Sequence, residues 1–224
     1  MNEAPYSRSE RRRMDAAGGY WNHAGGLSPI LKAAPWIGVE TVSADFGAGN
    51  GLQGLLLQTL YPHARTTQIE ISARMKDIGE GLREWLAVPR ERVEWVIDDV
   101  LNVSAAGYDF IYLYRPVRPD GPGREFYTRF AREVEAAPRP PVIFSIADCL
   151  RDFLSDRYEV FYGDGHLTCF RASGRLGTTR KHRSDITRTS GPRWGPGGRP
   201  GERARGRRRR PPRSRPRSRE GRTR

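Results

Sequence analysis

The sequence predicts an α/β protein with a doubly wound, mostly parallel sheet. Short apolar runs alternate with helix-like segments from about residue 41 to residue 146, a pattern typical of parallel sheets with helices on both faces. A strand–turn–strand signal follows this region. In addition, glycines and acidic residues come directly after several predicted strands, where sheets of this kind bind their ligands.

The five predicted parallel strands are apolar runs bounded by charged or turn-forming residues. They are Thr41–Phe46, Thr66–Ile71, Val93–Ile97, Tyr108–Tyr114 and Pro141–Ile146. The predicted helices have apolar residues three or four apart. They are Ser28–Ala34, Leu52–Leu60, about Ala73–Leu86 and roughly Arg124–Ala136. In the first helix we expect Ser28 to be the N-cap and Pro29 the first helical residue.

The last two predicted strands form a hairpin. Apolar stretches at Tyr158–Tyr162 and His166–Arg171 flank Gly163-Asp164-Gly165, and a Gly/Asp turn between two such runs favours antiparallel pairing. The chain is thus predicted to contain an N-terminal helical or irregular extension (1–40), a ligand-binding domain (41–173) and a tail (174–224). Within the extension, the charged residues 1–15 are expected to be frayed.

The excess of positive over negative charge is confined to the tail. The formal net charge is +13, but residues 175–224 contain 19 Lys and Arg against 3 Asp and Glu, which leaves residues 1–174 with 20 basic and 23 acidic residues. The tail is rich in Arg, Pro, Ser and Gly and nearly lacks aliphatic residues, so we expect it to be disordered. It could contact nucleic-acid phosphates without reading sequence, or be a solubilising appendage or an accident of a GC-rich reading frame.

Composition also indicates a soluble, cytoplasmic protein. Arg-rich residues 1–15 are not followed by the apolar segment of a secretory signal, and no apolar run approaches the roughly 20 residues that span a bilayer. The two cysteines, Cys149 and Cys169, are expected to be free thiols in a reducing compartment. The four histidines show no metal-ligand spacing; among them, His63 is expected in a surface loop.

A glycine-rich turn follows the first predicted strand. Ala44–Gly51 reads ADFGAGNG. Asp45 lies two residues before Gly47, and Ala48, Gly49 and Gly51 complete the turn. Glycines let a chain turn sharply and let a ligand approach the backbone, and the helix that follows presents free N–H groups at its start. Such a loop suits a zwitterionic or nucleoside-like ligand.

Two cofactor classes fit this turn. Gly49, Gly51 and Gly54 match the dinucleotide pattern GxGxxG, with Glu70 about 20 residues further on. The same turn also reads D-x-G-x-G-x-G. A carboxylate at Asp45 would repel a pyrophosphate but would partner a cationic amine, which favours the second reading over a nicotinamide-dependent oxidoreductase.

The second reading resembles motif I of the class I S-adenosylmethionine (SAM) dependent methyltransferases, and the resemblance covers about Thr41 to Arg171. It implies a Rossmann-like, seven-stranded, mostly parallel sheet with an antiparallel C-terminal hairpin. It also implies methyl transfer from SAM, with Asp45 beside the amino-acid end of the cofactor.

The resemblance extends to the ends of the second and third strands. Glu70, followed by Ile71, implies a carboxylate that accepts from the ribose hydroxyls. Asp98 and Asp99 end the third strand, and the resemblance assigns the adenine amine to Asp99 and a backbone N–H to Val100. A turn cap is the alternative for Asp99.

The acceptor side is less defined. Where amino-methylating nucleic-acid enzymes of this fold carry Asp/Asn-Pro-Pro-aromatic, this chain reads Leu113-Tyr114-Arg115-Pro116-Val117. Tyr114 is the candidate catalytic residue by its strand-end position, and an ordinary rim aromatic is the alternative. Tyr20 and Trp21 could form a lid, although core packing is the favoured role for Trp21. The sequence does not identify the acceptor, which could be a protein lysine, RNA or a small molecule, and it does not give the oligomeric state. A second alternative to the methyltransferase is a nucleic-acid-binding protein with a degenerate α/β domain.

Overall fold

The computed structural model describes residues 6–19 and 26–174, which belong to one compact unit. The predictions for Tyr20, Trp21 and the basic tail beyond Gly174 lie outside the described residues.

Seven strands form one sheet in the order β3-β2-β1-β4-β5-β7-β6. The first five are parallel, and β7 pairs antiparallel with both β5 and β6. Their bounds are β1 Val42–Phe46, β2 Arg65–Glu70, β3 Val93–Ile97, β4 Phe110–Tyr114, β5 Val142–Ile146, β6 Tyr158–Gly163 and β7 Leu167–Ala172. The predicted fold class and hairpin are confirmed. The strand order reverses between β1 and β4, the position where doubly wound sheets open a crevice at their carboxyl ends.

Five helices surround the sheet within the described residues: α1 Arg8–Ala17, α2 Ser28–Ala33, α3 Leu52–Leu60, α4 Ala73–Trp85 and α5 Gly121–Ala136. Short 3₁₀ turns occur at Ala34–Trp36, Arg90–Arg92 and Val100–Asn102. The predicted N-cap of α2 is wrong, because Leu27 occupies that position and Ser28 is already helical.

For residues 8–15, helix α1 shows that the prediction of a frayed segment is wrong, and residues 1–5 lie outside the described residues. The Ser7 hydroxyl accepts from the backbone N–H of Glu10, and the Glu10 carboxylate accepts from the backbone N–H of Ser7. This capping box satisfies donors that would otherwise be unpaired at the helix start. Met14 and Ala17 are buried on the inner face, so tertiary contacts hold a helix that is too short to be stable alone.

Two apolar layers cover the sheet. On one face, Phe126 and Phe130 of α5 pack against β1, β2, β4 and β5. On the other, Ile30 of α2 and Leu57 of α3 pack against Phe110 and other residues of β4, β5 and β7. Strands buried on both faces read as continuous apolar runs, which is why the sequence located most of them to within one or two residues.

His63 is buried rather than in a surface loop, so that prediction is wrong. Its side chain lies at the amino-terminal ends of β1 and β2 and is 2% exposed. One ring nitrogen is 2.8 Å from the Ser43 hydroxyl and 2.9 Å from that of Thr66, and the other is 2.6 Å from the carbonyl of Tyr61. Burial lowers the pKa of the imidazole, which therefore serves as a neutral hydrogen-bonding centre.

Two further features follow from the fold. Cys149 and Cys169 are both buried free thiols, as predicted. Across the described parts of the chain, no helix combines the length and apolar character needed to traverse a bilayer.

Candidate functional site

A cavity of about 270 Å³ lies at the carboxyl ends of the parallel strands. The residues that follow five successive strands line it: Gly47 and Gly49 after β1, Glu70 and Ile71 at β2, Asp98, Asp99 and Val100 after β3, Tyr114, Arg115, Pro116 and Val117 at β4, and Ala147 after β5. Eight of these were predicted as site residues from the sequence. The convergence arises because parallel strands bring their carboxyl ends to one edge of the sheet.

The glycine turn has the backbone conformation that its sequence requires. Gly47, Gly49 and Gly51 have φ values of 79°, 58° and 70°, in the left-handed region that favours glycine. A Cβ at Gly47 would lie 2.8 Å from the Cβ of Pro116, so a side chain there would displace the segment after β4. The turn therefore brings bare backbone to the cavity wall.

Glu70 is the central carboxylate of the cavity. One carboxylate oxygen accepts from the backbone N–H of Gly49 at 2.8 Å, and the other accepts from that of Ser72 at 3.0 Å. The side chain is 5% exposed. Burial raises its pKa to about 7, although these two N–H groups oppose the rise. The carboxylate thus joins the glycine turn to the start of α4, and each oxygen has a further lone pair for a ligand.

Asp45 lies behind the cavity wall. Its side chain is 3% exposed and is outside the lining, as are Ala48 and Gly51. Burial, followed by the charge of Glu70, raises the pKa of Asp45 to about 7, and the backbone N–H of Gly54 opposes that rise. The predicted contact of Asp45 with the amine of a cofactor stays a prediction; the structure places the carboxylate under the turn, beside α3.

Asp99, the third acidic position, is the turn cap that the sequence offered as the alternative, and its contact with an adenine stays a prediction. Asp99 lines the cavity, and its side chain also accepts from the backbone N–H of Leu101 at 3.0 Å, which caps the 3₁₀ turn. Asp98 accepts from the Asn102 side-chain amide at 3.0 Å and from the backbone N–H of Asp99 at 2.7 Å. These bonds, that of Asn102 first, lower the pKa of Asp98. This carboxylate is therefore held in its charged form.

The opposite end of the cavity contains two residues with strained backbones. Arg115 has a φ of 35° and Ala147 a φ of 49°, values that cost a non-glycine residue of order 1–3 kcal/mol. The Arg115 Nε donates to the Ala147 carbonyl at 2.8 Å and lies 3.0 Å from the Cys149 Sγ. Tyr114 is half-buried beside them, and its ring meets that of His166 edge to face, with centroids 6.1 Å apart.

Sequence reasoning missed the N-terminal side of the cavity. Tyr6, Met14, Ala17 and Gly19 line it, and Tyr6 is 5% exposed. Burial and the nearby Glu70 charge raise the pKa of Tyr6. Gly19, just after α1, forms an isolated antiparallel bridge with Val117, which follows β4. This bridge anchors the end of α1 to the β4 side of the opening. The spacing of Ser7 and Glu10 could have predicted the helix, but not its place over the cavity.

The lining is chemically asymmetric. Among the described lining residues, three are carboxylic acids (Glu70, Asp98 and Asp99) and one is a guanidinium (Arg115). The acids lie at the ends of β2 and β3, whereas Arg115 lies after β4. A cationic or hydroxyl-rich ligand is therefore favoured at the β1–β3 end, and a diphosphate is disfavoured there.

Comparisons with known proteins support the fold. No protein-family profile and no curated protein matches the chain. Among solved structures, a candidate rRNA methylase from Clostridium thermocellum aligns over 68% of this chain and 98% of its own, with 11% identity and a TM-score of 0.51. An rRNA methylase from Streptococcus thermophilus aligns over 64% and 93%, with 11% identity and a TM-score of 0.49.

A further solved structure is much longer than the matching region. An O-methyltransferase from a Brevibacillus brevis multienzyme, in complex with S-adenosyl-L-homocysteine, has 17% identity and a TM-score of 0.40; the alignment covers 47% of this chain and only 35% of that one. The observed strand order with its antiparallel hairpin, together with the similarity to the Clostridium structure, establishes the fold. The chain has the class I SAM-dependent methyltransferase fold.

Proposed function

We propose that the chain is a SAM-dependent methyltransferase whose cofactor binds in the cavity at the carboxyl ends of β1 to β4. One observation carries the proposal: a buried carboxylate, Glu70, is bonded to the glycine turn at Gly49 in the same cavity as Asp98 and Asp99. This arrangement offers bare backbone and several acceptor oxygens within one enclosed space.

The residues present fit the proposed cofactor. The oxygens of Glu70 would accept from the two ribose hydroxyls while they keep their bonds to Gly49 and Ser72. Asp99 and the adjacent backbone of Val100 would contact the adenine, since both line the cavity at the end of β3. The left-handed glycines would let the backbone approach the rest of the cofactor closely.

The charge of the lining favours SAM over a nicotinamide dinucleotide. SAM carries a sulfonium and an ammonium, both of which are attracted by the carboxylates at this end of the cavity. A dinucleotide would instead bring two phosphate charges toward Glu70 and toward Asp45 behind the turn.

When bound, SAM would supply an electrophilic methyl group on a good leaving group, and the protein would align the acceptor with it. Such alignment supplies much of the acceleration of a displacement reaction. Tyr114, Arg115 and Ala147 are the residues we place beside the acceptor, because they line the cavity beyond the acidic end.

Isothermal titration calorimetry with SAM, S-adenosylhomocysteine and NAD(P) tests the proposal. We expect saturable binding of the first two at one site and no binding of the dinucleotides. Incubation with methyl-labelled SAM and a fractionated lysate should then transfer label to one acceptor fraction. Binding of NAD(P) alone, or of neither class, would overturn the assignment.

A further inference from the structure

We propose that the outer face of α1, together with arginines beside it, docks a single-stranded RNA at the mouth of the cavity. This inference deepens the proposed function, and it rests on that function because the docked RNA is taken to be the methyl acceptor. The docking itself is a property of the surface and can be measured separately.

The position of α1 places its outer face beside the opening. Met14 and Ala17 on the inner face line the cavity, so residues on the other side of the helix point away from the sheet. Arg8 and Arg12 are one helical turn apart there, and Arg13 follows; all three are exposed. Residues 8–13 contain four arginines, an unusual density for a domain whose first 174 residues carry a net negative charge.

Neighbouring elements extend this basic surface. The backbone N–H of Arg118 donates to the carbonyl of Gly18, directly after α1, at 2.8 Å. Arg74, at the start of α4, is close enough to Glu10 of α1 to interact with it electrostatically. Both arginines are exposed. We call Arg8, Arg12, Arg13, Arg74 and Arg118 the arginine rim.

Ion pairing of arginines varies over the surface. Arg65, Arg129 and Arg171 are held by Glu94, Glu133 and Glu159, whereas other described arginines outside the rim, such as Arg90, form no ion pair. The rim is distinguished by its position, with five exposed arginines gathered beside one opening. Within residues 6–19 and 26–174, no ion pair involves a member of the rim. Acidic groups are nearby, notably Asp15 on α1 and Asp98, which senses the charge of Arg13.

A polyanion fits this arrangement better than a small anion. The rim spreads over α1, the start of α4 and the loop after β4, which suits successive phosphates, whereas the cavity behind it is acidic and would repel them. An acceptor base would have to reach Tyr114 and Arg115 with the cofactor already in the cavity of about 270 Å³, so it could enter only when unstacked. Single-stranded loops of RNA present such bases, whereas a duplex keeps them stacked.

The test is fluorescence anisotropy of the full chain with a labelled single-stranded RNA of about 20 nucleotides, measured against salt. The rim variant is Arg8→Gln/Arg12→Gln/Arg118→Gln. Its matched control is Arg90→Gln/Arg132→Gln/Arg157→Gln, three exposed arginines outside the rim. Both variants lose three charges and keep the basic tail, so the tail contributes equally to both.

Each phosphate contact with a single strand contributes a slope of about 0.7 in log affinity against log salt. At about 0.1 M salt this is roughly fivefold per contact. We therefore expect the rim variant to bind about a hundredfold more weakly, with a slope lower by about 2. The control should change affinity by less than about threefold.

A second variant guards against misfolding of α1. Arg74→Gln/Arg118→Gln leaves that helix intact and should weaken RNA binding about 25-fold. Equal losses in the rim variant and its control, or no loss in either rim variant, would overturn the docking surface. Tighter binding of single-stranded DNA of the same sequence would overturn the assignment to RNA. Calorimetric binding of S-adenosylhomocysteine separates the two proposals, since its failure in the wild type removes the cofactor site whatever the RNA result.

Discussion

Replacing Glu70 with Gln should weaken cofactor binding because the structure gives both carboxylate oxygens a backbone donor. Gly49 donates to one oxygen and Ser72 to the other. A glutamine of the same shape has one oxygen and one NH₂ group, so one of the two N–H groups would face another donor. An unpaired buried donor costs about 1–3 kcal/mol, and the glycine turn is the segment that would move to relieve it.

The expected loss of affinity follows from the charge as well. A hydrogen bond to a charged acceptor contributes about 1 kcal/mol more than one to a neutral acceptor. Two ribose hydroxyls would therefore lose about 2 kcal/mol together, roughly a 30-fold rise in the Kd of S-adenosylhomocysteine. Calorimetry at about pH 8 measures this with Glu70 mostly ionised. Glu94→Gln is the control, because Glu94 lies on β3 outside the cavity and is half-exposed.

The same variant should also show a change in stability with pH. Burial raises the pKa of Glu70 from 4.5 to about 7, so between these values the folded state holds a proton that the unfolded state has released. The contribution of Glu70 to the free energy of unfolding therefore falls as pH rises through this window. The loss is roughly 2–3 kcal/mol between about pH 5 and pH 8, and Glu70→Gln should lack it in urea unfolding. An unchanged Kd together with an unchanged pH slope would refute the placement of Glu70 in the site.

Four further outcomes are expected. The affinity for S-adenosylhomocysteine should rise as pH increases through about 7 and then level off. Glu70 and Asp45 both have pKa values raised to about 7, so both become charged over this range and attract the ammonium of the ligand. Calorimetry in buffers of different ionisation enthalpy should detect the proton release that accompanies binding. His63 is buried in its neutral form, so its contribution to the free energy of unfolding should fall as pH drops below about 6.5. Urea unfolding at several pH values should show this fall in the wild type, and His63→Gln should lack it. Gly81→Ala, which faces open space in α4, should stabilise the protein by about 0.5–1 kcal/mol in urea unfolding. Gly79→Ala, whose Cβ would lie 2.4 Å from an indole ring on β3, should destabilise it by about 1–3 kcal/mol.

Sequence patterns located the central strands β1, β4 and β5 because these strands are almost entirely buried, and turn-forming residues bounded the more exposed edge strands. The predicted bounds of β3 and α3 agree with the structure, and β1 differs by one residue. Contacts between residues far apart in the sequence were harder to predict. Tyr61-Pro62-His63 reads as a turn, but the imidazole is drawn inward by hydroxyls on two different strands.

The acidic residues of the candidate site show what the sequence pattern could predict and what it could not. The sequence places Asp45, Glu70 and Asp99 near strand ends, and the structure brings two of them into the cavity lining. Alternate residues of a strand point to opposite faces, and the spacing of a motif does not say which carboxylate faces the ligand. Asp45 is paired in register with Gln68 and Tyr112, which places it in a buried row across the sheet, beneath α3.

Helix α1 joins the two charge patterns of this surface. Met14 on its inner face, and Tyr6 just before the helix, lie over a cavity whose charged lining residues are mostly acidic, whereas the outer face of the helix carries arginines. A ten-residue helix with so polar a sequence is not stable by itself, so its order comes from the apolar contacts that it makes with Ile71 and Met75 beside the cavity. A cofactor that fills the cavity would add to those contacts and hold the helix in place. The arginine rim would then be held more firmly when the methyl donor is bound, so the cofactor should strengthen the docking of a polyanionic acceptor.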